Sequence, residues 1–273
     1  MPAMVAVGNM GGIEGQSRVI LPTMKAVLKR VIPLRLRPAF RRFWNRTRYA
    51  GFARYCPVCS SHLLRFVPHG VPEEAEAVCP VCRCKAPHRL ACLYFKSNPQ
   101  LFRPGGLMLH IAPEPELGRR LREWAESNGM AYRCGCITAT GDRYFDIQSL
   151  PFATGSIDLI YCCHVLNCMQ EDRAGMRELL RVLRAQGTAL LQVPAFHTGK
   201  TTLETYSLED RLRTFYDEGI YRCYTDADYV HRLSAAGFCV RHFRAEGFAP
   251  AEIRRYSLKR EVLHICTKPC LSA

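Results

Sequence analysis

Two identical CPVC tetrapeptides, at residues 56–59 and 79–82, restrict the fold of this chain more than any other feature. The 19 residues between them match the C-x2-C-x15–20-C-x2-C spacing of zinc sites. Because each CxxC turn presents two thiolates to one ion, we predict a zinc ribbon with Cys56, Cys59, Cys79 and Cys82 as ligands. Four thiolates leave no position open for water, so the predicted zinc is structural. The alternatives are a chance coincidence of cysteines, or Cys84 competing for the fourth position.

The remaining cysteines point to a reducing compartment. The chain has 15 cysteines, and those outside the CPVC pairs are scattered without a framework. No secretory signal is recognisable at the N-terminus, so reduced thiols are favoured over disulfides. No apolar run approaches the roughly 20 residues of a membrane-spanning helix. We therefore expect a cytoplasmic protein without a transmembrane segment.

The positive charge is concentrated in the N-terminal arm. The net charge is +14, and residues 1–55 hold 11 Lys and Arg with one acid, Glu14. Residues 1–17 are rich in Gly and Met and are predicted to be disordered. Residues 22–50 mix basic and apolar side chains, and Pro33 and Pro38 divide them into short helices. The arm is either a contact for an anionic surface, lipid or nucleic acid, or a solvated face whose apolar residues pack on the domain behind it, which is the interpretation that we favour.

Strand and helix patterns alternate after the cysteine pairs. A helix at 88–99 is expected to join the ribbon to the main domain. Further helices are predicted at 115–128, 171–184 and 226–237, the second of them ended by Gly187. Strands are predicted at 107–112, 131–137, 156–166, 188–196, 238–243 and 261–267. This alternation predicts an α/β fold with a parallel sheet covered on both faces, and three regions: a basic arm at 1–50, the ribbon and linking helix at 51–100, and the main domain at 101–273.

Several motifs fall in a familiar order. CPVC…CPVC, KAPHRL, LHIAPE, FDIQSLPF, SIDLIYCCHVL, RELLRVLRAQGTALLQVP and AAGF together resemble bacterial class I S-adenosylmethionine (SAM)-dependent methyltransferases headed by a small zinc ribbon. The resemblance covers about residues 24–245. It implies a Rossmann-like class I methyltransferase sheet preceded by the ribbon, with SAM and a structural zinc as cofactors and an unknown methyl acceptor.

The same resemblance implies the residues that hold SAM. Ala112, Pro113 and Glu114 correspond to the loop on the methionine side of the cofactor, although Glu114 is alternatively a helix cap. Cys162 and Cys163 end the fourth strand, beneath the cofactor; small buried filler is the other interpretation of these cysteines. The cofactor-binding residues expected from the resemblance are Ala112, Pro113, Glu114, Cys136, Asp146, Ile147, Cys162 and Cys163.

The resemblance also implies individual roles for Asp146, Ile147 and Cys136, and His164 is a candidate for catalysis. Asp146 corresponds to the acid that reaches the adenine amino group, or it is a turn residue, and Ile147 would pack on the ring. His164 is the candidate catalytic base or acceptor-positioning group; a histidine that caps the strand is the alternative. Cys136 stands where class I enzymes usually place an acid that accepts hydrogen bonds from both ribose hydroxyls, and a thiol is a poor substitute.

Other departures from the family pattern are Asn167, Cys168, Gly219 and Ile220. Because some motifs match the family and other positions depart from it, three functions are considered. The first is a SAM-dependent methyltransferase acting on a small-molecule or glycan-like acceptor. The second is a non-catalytic protein that kept the fold for SAM binding or for an interaction. The third, a nucleic-acid methyltransferase, would bind in a strongly salt-dependent manner.

Overall fold

The computed structural model describes residues 33–70, 73–135, 145–194 and 201–269. By its contacts, the chain divides into two units between Arg41 and Arg42. The predicted disorder at 1–17 and the predicted cofactor residue Cys136 lie outside the described ranges. No helix within those ranges is long and apolar enough to cross a membrane.

Within residues 33–50, the described part of the basic arm, the chain forms the helix α1 (Arg37–Arg48), which follows a 3-10 turn at Leu34–Leu36. Pro38 lies in its first turn, where the missing N–H costs nothing. The expectation that its aromatic residues pack on the domain behind is wrong: Phe43 is 66% exposed and Trp44 45% exposed. Polar side chains contact the cysteine-rich segment instead. Asn45 donates to the Pro80 carbonyl at 2.7 Å, and Arg46 donates to the Cys59 carbonyl at 3.3 Å.

The cysteine module, residues 50–84, consists of two antiparallel hairpins. β1 (Ala50–Cys56) pairs with β2 (Ser61–Leu63), and β3 (Val67–His69) pairs with β4 (Glu74–Val78). The predicted linking helix follows as α2 (Ala86–Ser97), with Pro87 in its first turn. Four polypeptide segments are thereby brought to one place with little hydrophobic core of their own, as expected of a unit held by side-chain ligands.

The main sheet has six strands in the order β11-β12-β8-β7-β5-β6. Their bounds are β5 Leu107–Ile111, β6 Ala131–Gly135, β7 Ile157–Cys163, β8 Leu183–Gln192, β11 Cys239–Arg244 and β12 Val262–Thr267. β5 runs parallel to β6 and β7, and β7 runs parallel to β8. β12 is antiparallel to both of its neighbours. The four strands β6-β5-β7-β8 are thus parallel, as predicted, and β12 is an antiparallel strand that makes the whole sheet mixed.

Helices cover both faces of the sheet. The helices are α3 (Pro115–Ser127), α4 (Asp172–Val182), α5 (Leu208–Phe215), α6 (Asp226–Ala235) and α7 (Pro250–Tyr256), and a short pair, β9 (Leu203–Glu204) and β10 (Arg222–Cys223), lies between α4 and α6 in the chain. Met108 of β5 packs in one hydrophobic cluster with α2 and α3, and Leu109 packs in another with α4 and α6. Successive residues of a strand face opposite sides of a sheet, so these clusters are the two layers of the predicted α/β architecture.

The region around Gly187 differs from its prediction. α4 ends at Val182 and β8 begins directly at Leu183, so Gly187 lies inside the strand rather than at the end of the helix. A Cβ at this glycine would lie 2.9 Å from the Arg184 carbonyl oxygen. The glycine is therefore required by close backbone approach within the strand.

The cysteine module and the sheet share one core. The cluster that holds Met108 also contains Val58 and Leu63 of the module. Arg89 of α2 is fully buried and donates to the carbonyls of Ala77, Cys84 and Ser257. The region boundary predicted at residue 100 thus separates segments whose side chains pack in a single cluster.

Candidate functional site

The carboxyl ends of three neighbouring parallel strands meet at one edge of the sheet. Ile111 pairs with Cys162, and Cys162 pairs with Leu191, so the ends of β5, β7 and β8 are level. The loop at 112–114 leaves this edge after β5, and His164 leaves it after β7. Ligands of open α/β sheets bind at this position, beyond the carboxyl ends of the strands.

The loop after β5 makes a tight turn without glycine, the residue that such turns usually contain. Ala112 has φ of 50°, a left-handed conformation that side chains other than glycine rarely adopt. Its N–H donates to the Gly135 carbonyl at 2.8 Å, which fixes the turn against β6. Gly118 lies in the first turns of α3, and a Cβ there would come within 3.1 Å of the Pro113 Cβ. The glycine that permits close packing is thus in the helix rather than in the loop.

Glu114 does not use its side chain as a helix cap. It occupies the N-cap position of α3 but makes no side-chain capping hydrogen bond. Its Oε1 lies 3.2 Å from His88 Nε2, and its Oε2 lies 3.3 Å from His110 Nε2. Burial alone would raise the pKa of Glu114, but the His88 and His110 imidazoles beside the carboxylate outweigh it and lower the pKa to about 2. The site therefore holds a buried, ionised carboxylate.

The protonation of His88 follows from its hydrogen bonds. The Lys85 N–H donates to His88 Nδ1 at 3.3 Å, so the ring proton belongs on Nε2, which faces Glu114. Burial lowers the pKa of His88, against the opposing charge of Glu114. The Cys163 Sγ, a ring nitrogen of His88 and a carboxylate oxygen of Glu114 all lie within 4.8 Å of one another, as the ligands of a metal ion would. A metal on Nε2 would need that nitrogen without its proton, and the proton would then have to sit on Nδ1, which faces the Lys85 N–H donor. The hydrogen bond from Lys85 therefore argues against a metal in this group.

His164 is the polar residue at the end of β7. Its φ is 56°, and its N–H donates to the Gln192 carbonyl at 2.8 Å, which turns the chain out of the sheet. Its Nε2 is buried and has no hydrogen-bond partner among the described residues. Burial, followed by the charges of His88 and Lys85, lowers the pKa of His164 to about 3. The ring is therefore neutral at physiological pH and has a nitrogen available to a ligand.

The two cysteines that end β7 are buried on opposite faces of the sheet. Cys162 is 1% exposed and Cys163 5% exposed, and each belongs to a different hydrophobic cluster. Burial raises the pKa of both thiols, so both are protonated. These observations agree with the interpretation of small buried side chains.

Asp146 and Ile147 lie in the turn before β7. Asp146 is exposed, and its Oδ1 accepts from the Gln148 N–H at 2.9 Å, as in an Asx turn. Ile147 is 1% exposed and belongs to the same hydrophobic cluster as Leu109. The alternative that Asp146 is a turn residue has a structural basis, while contact of either residue with adenine stays a prediction.

The four CPVC cysteines converge as predicted. Their Sγ atoms all lie within 4.8 Å of one another, with 3.7 Å between Cys56 and Cys82 and 3.8 Å between Cys59 and Cys79. Zinc–sulfur bonds of about 2.3 Å in a tetrahedron place sulfurs about 3.8 Å apart, so the donors fit zinc. The Cys84 Sγ lies only 3.3 Å from that of Cys56, which is short for two ligands of one zinc ion.

Sequence reasoning missed two residues of this site, His88 and His110. His88 was noted only within KAPHR, and His110 lies within an apolar strand and is fully buried. Its Nδ1 lies 2.8 Å from the Tyr132 hydroxyl. The available signal was weak: a histidine four residues before an acid, at the end of a strand that opens a binding loop.

The depressed pKa of His164 predicts a pH dependence of stability. The usual value is 6.5, and the folded value is about 3. Below pH 6.5 the unfolded chain binds a proton that the folded protein rejects, so stability is lost as the pH falls from 6.5 toward 3. Between pH 6.5 and 5, this group alone removes roughly 2 kcal/mol. Urea denaturation at pH 7 and pH 5 should show a smaller loss for His164→Asn than for the wild type, and an unchanged loss would contradict the assignment. Replacement of the exposed His69 by Asn is the control.

Comparisons with known proteins agree with this geometry. Residues 100–191 match a family model described as a methyltransferase domain. A search of curated proteins gives no match. The solved structure of the cyclase SpnF is 15% identical with a TM-score of 0.50, covering 67% of this chain and 81% of SpnF. A SAM-dependent methyltransferase from Mesorhizobium loti is 12% identical with a TM-score of 0.47, covering 65% and 96%.

The matched segment contains the strands and the loop that build the site. It begins just before β5 and ends within β8, so it includes Ala112, Glu114 and His164. The mixed sheet with helices on both faces is that of class I methyltransferases. Residues 100–191 are therefore similar to a methyltransferase domain, and the fold around them is similar to that of SpnF.

Proposed function

We propose that the protein transfers a methyl group from SAM to a small-molecule or glycan-like acceptor at the carboxyl edge of β5, β7 and β8. The observation that carries this proposal is the Glu114 carboxylate. It is buried and ionised, and its ion-pair partners among the described residues are the imidazoles of His88 and His110. A buried charge is costly unless it is paired. The ammonium of the methionine part of SAM supplies the missing positive charge.

The remaining cofactor contacts are assigned by position. Ala112 and Pro113 would border the methionine part through the loop backbone, and Cys162 and Cys163 would lie beneath it. Asp146 would reach the adenine amino group through its second carboxylate oxygen, with Ile147 below the ring. Cys136 would take the ribose position, where a thiol accepts hydrogen bonds weakly.

The proposed chemistry asks little of the protein beyond alignment. SAM supplies a methyl group on a sulfonium whose leaving group is neutral, so positioning the acceptor provides much of the rate enhancement. His164, with a neutral ring and an unpartnered Nε2, would accept the acceptor's proton or hold it by a hydrogen bond.

We also propose that Cys56, Cys59, Cys79 and Cys82 hold a structural zinc ion. The donor set consists of four thiolates at tetrahedral distances, and such sites leave no open position for water. For the basic arm, we propose contact with an anionic surface, since Phe43 and Trp44 are exposed among its arginines.

The second candidate function is SAM binding or a protein interaction without catalysis. It is favoured by the polar positions that depart from the family pattern. Asn167 donates to the Cys168 sulfur at 3.4 Å, and its carbonyl accepts from the Tyr221 N–H at 2.9 Å. The carbonyl bonded to Tyr221 is that of the main chain, and the side-chain Oδ1 of Asn167 is buried without a hydrogen-bond partner among the described residues.

Calorimetric titration of the zinc-loaded protein with S-adenosylhomocysteine (SAH) tests the proposal. We expect binding at micromolar strength or tighter, followed by transfer of a labelled methyl group from SAM to one of a panel of phenols, amines and glycans. Binding without transfer to any acceptor would favour the second function. Absence of binding would refute both the methyltransferase and SAM binding, and would leave only a protein interaction.

A further inference from the structure

His88 connects the cysteine module to the loop after β5. It lies in the first turn of α2, four residues after Cys84. Its Nδ1 accepts from the Lys85 N–H and its Nε2 faces Glu114 Oε1 at 3.2 Å. The neighbouring Cys84 carbonyl is itself held by the Cys79 N–H at 2.9 Å and by Arg89 at 3.1 Å. Hydrogen bonds thus hold the start of α2 against the second CPVC unit, and His88 extends from there to the Glu114 carboxylate at ion-pair distance.

The Glu114 carboxylate needs this contact because the structure gives it few others. Its side chain makes no helix-capping bond. Ala112, two residues earlier, has a left-handed backbone conformation, which is unfavourable for residues other than glycine. His88 Nε2 lies 3.2 Å from Oε1, and His110 Nε2 lies 3.3 Å from Oε2. The second pair lacks the geometry of a hydrogen bond, so Oε2 is a buried acceptor without a hydrogen-bond partner among the described residues. One imidazole beside each oxygen restricts the rotation of the carboxylate.

We propose that His88 is a positioning residue for SAM: it orients Glu114 toward the ammonium of the methionine part, so that the cysteine module controls cofactor affinity. This inference rests on the proposed function, because it assumes that Glu114 meets SAM. His88 acts through Glu114 and does not touch the cofactor. The effect is confined to ligands that carry the ammonium.

Two substitutions separate the two hydrogen bonds of His88. His88→Asn keeps an oxygen that can accept from the Lys85 N–H, but its amide is too short to reach Glu114. His88→Gln places an N–H donor near the position of Nε2. We expect His88→Asn to weaken SAH binding about tenfold or more, as for loss of a hydrogen bond to a charged group, and His88→Gln to restore most of it. Zinc content should be unchanged in both, and His69→Ala, in the same module, is the control.

A ligand without the amino-acid part distinguishes positioning from general damage. 5′-Methylthioadenosine carries the adenosine and the sulfur but no ammonium, so its affinity should be the same in the wild type and in His88→Asn. Equal losses for SAH and for 5′-methylthioadenosine would overturn the inference and leave the proposed function standing. Failure of the wild type to bind SAH would overturn the proposed function and the inference with it.

Nitrogen-15 spectra of the ligand-free protein test the hydrogen-bond geometry by itself. We expect the His88 proton on Nε2 and a bare Nδ1, with a change at Nε2 in Glu114→Gln. A proton on Nδ1 would overturn the inference even if SAH binds, because Nε2 would then have no hydrogen to donate to Glu114.

Discussion

Replacing Cys59 by serine is expected to remove the zinc and to unfold the protein at physiological temperature. Structural zinc contributes roughly 10–16 kcal/mol in small zinc-dependent modules, whereas a whole domain has a net stability of about 5–15 kcal/mol. Cys59 Sγ lies 3.8 Å from Cys79 Sγ within the four-cysteine group. Zinc analysis and thermal unfolding followed by near-ultraviolet circular dichroism measure the two effects.

Two serine substitutions serve as controls for this experiment. Cys239 is exposed in β11, and Cys239→Ser should leave both zinc content and unfolding unchanged. Cys84→Ser should retain the zinc, because its sulfur is too close to that of Cys56 for both to be ligands. A Cys59→Ser protein with the zinc content of the wild type would show that the four sulfurs do not bind the ion together.

Replacing Glu114 by glutamine is expected to weaken SAH binding by roughly 1.5–3 kcal/mol, the usual contribution of a hydrogen bond to a charged group. Glutamine keeps the size of the side chain and removes the negative charge that we assign to the ammonium. Isothermal titration measures the loss. Glu123 of α3 is 52% exposed, and Glu123→Gln is the matched control. Unchanged affinity in Glu114→Gln would place the methionine part of SAM elsewhere.

The sequence was most informative where the relevant contacts are local. The apolar runs at 107–112 and 156–166 became β5 and β7 because buried parallel strands need continuous hydrophobic residues. The CPVC units converged because each turn fixes two ligands by itself. By contrast, Gly187 was read as a helix end, since the same residue that stops a helix also permits close backbone approach inside a strand.

Non-local contacts account for what the sequence did not reveal. The antiparallel direction of β12 leaves no mark in its own residues. The pairing of His88 with Glu114 joins positions 26 apart in the chain, and His110 was indistinguishable from its apolar neighbours. The mixed basic and apolar residues of the arm did not reveal which side chains would contact the protein, and in the structure Asn45 and Arg46 make hydrogen bonds to the main chain of the cysteine module.

The common cluster of Val58, Leu63 and Met108 constrains how such proteins diversify. A recombination event at residue 100 would join the sheet to a cysteine module from another protein, whose side chains do not match the packing surface of this sheet. Substitutions on either side of that boundary are therefore expected to be compensated on the other. On heating, we expect the cysteine module and the sheet to unfold together in one cooperative transition.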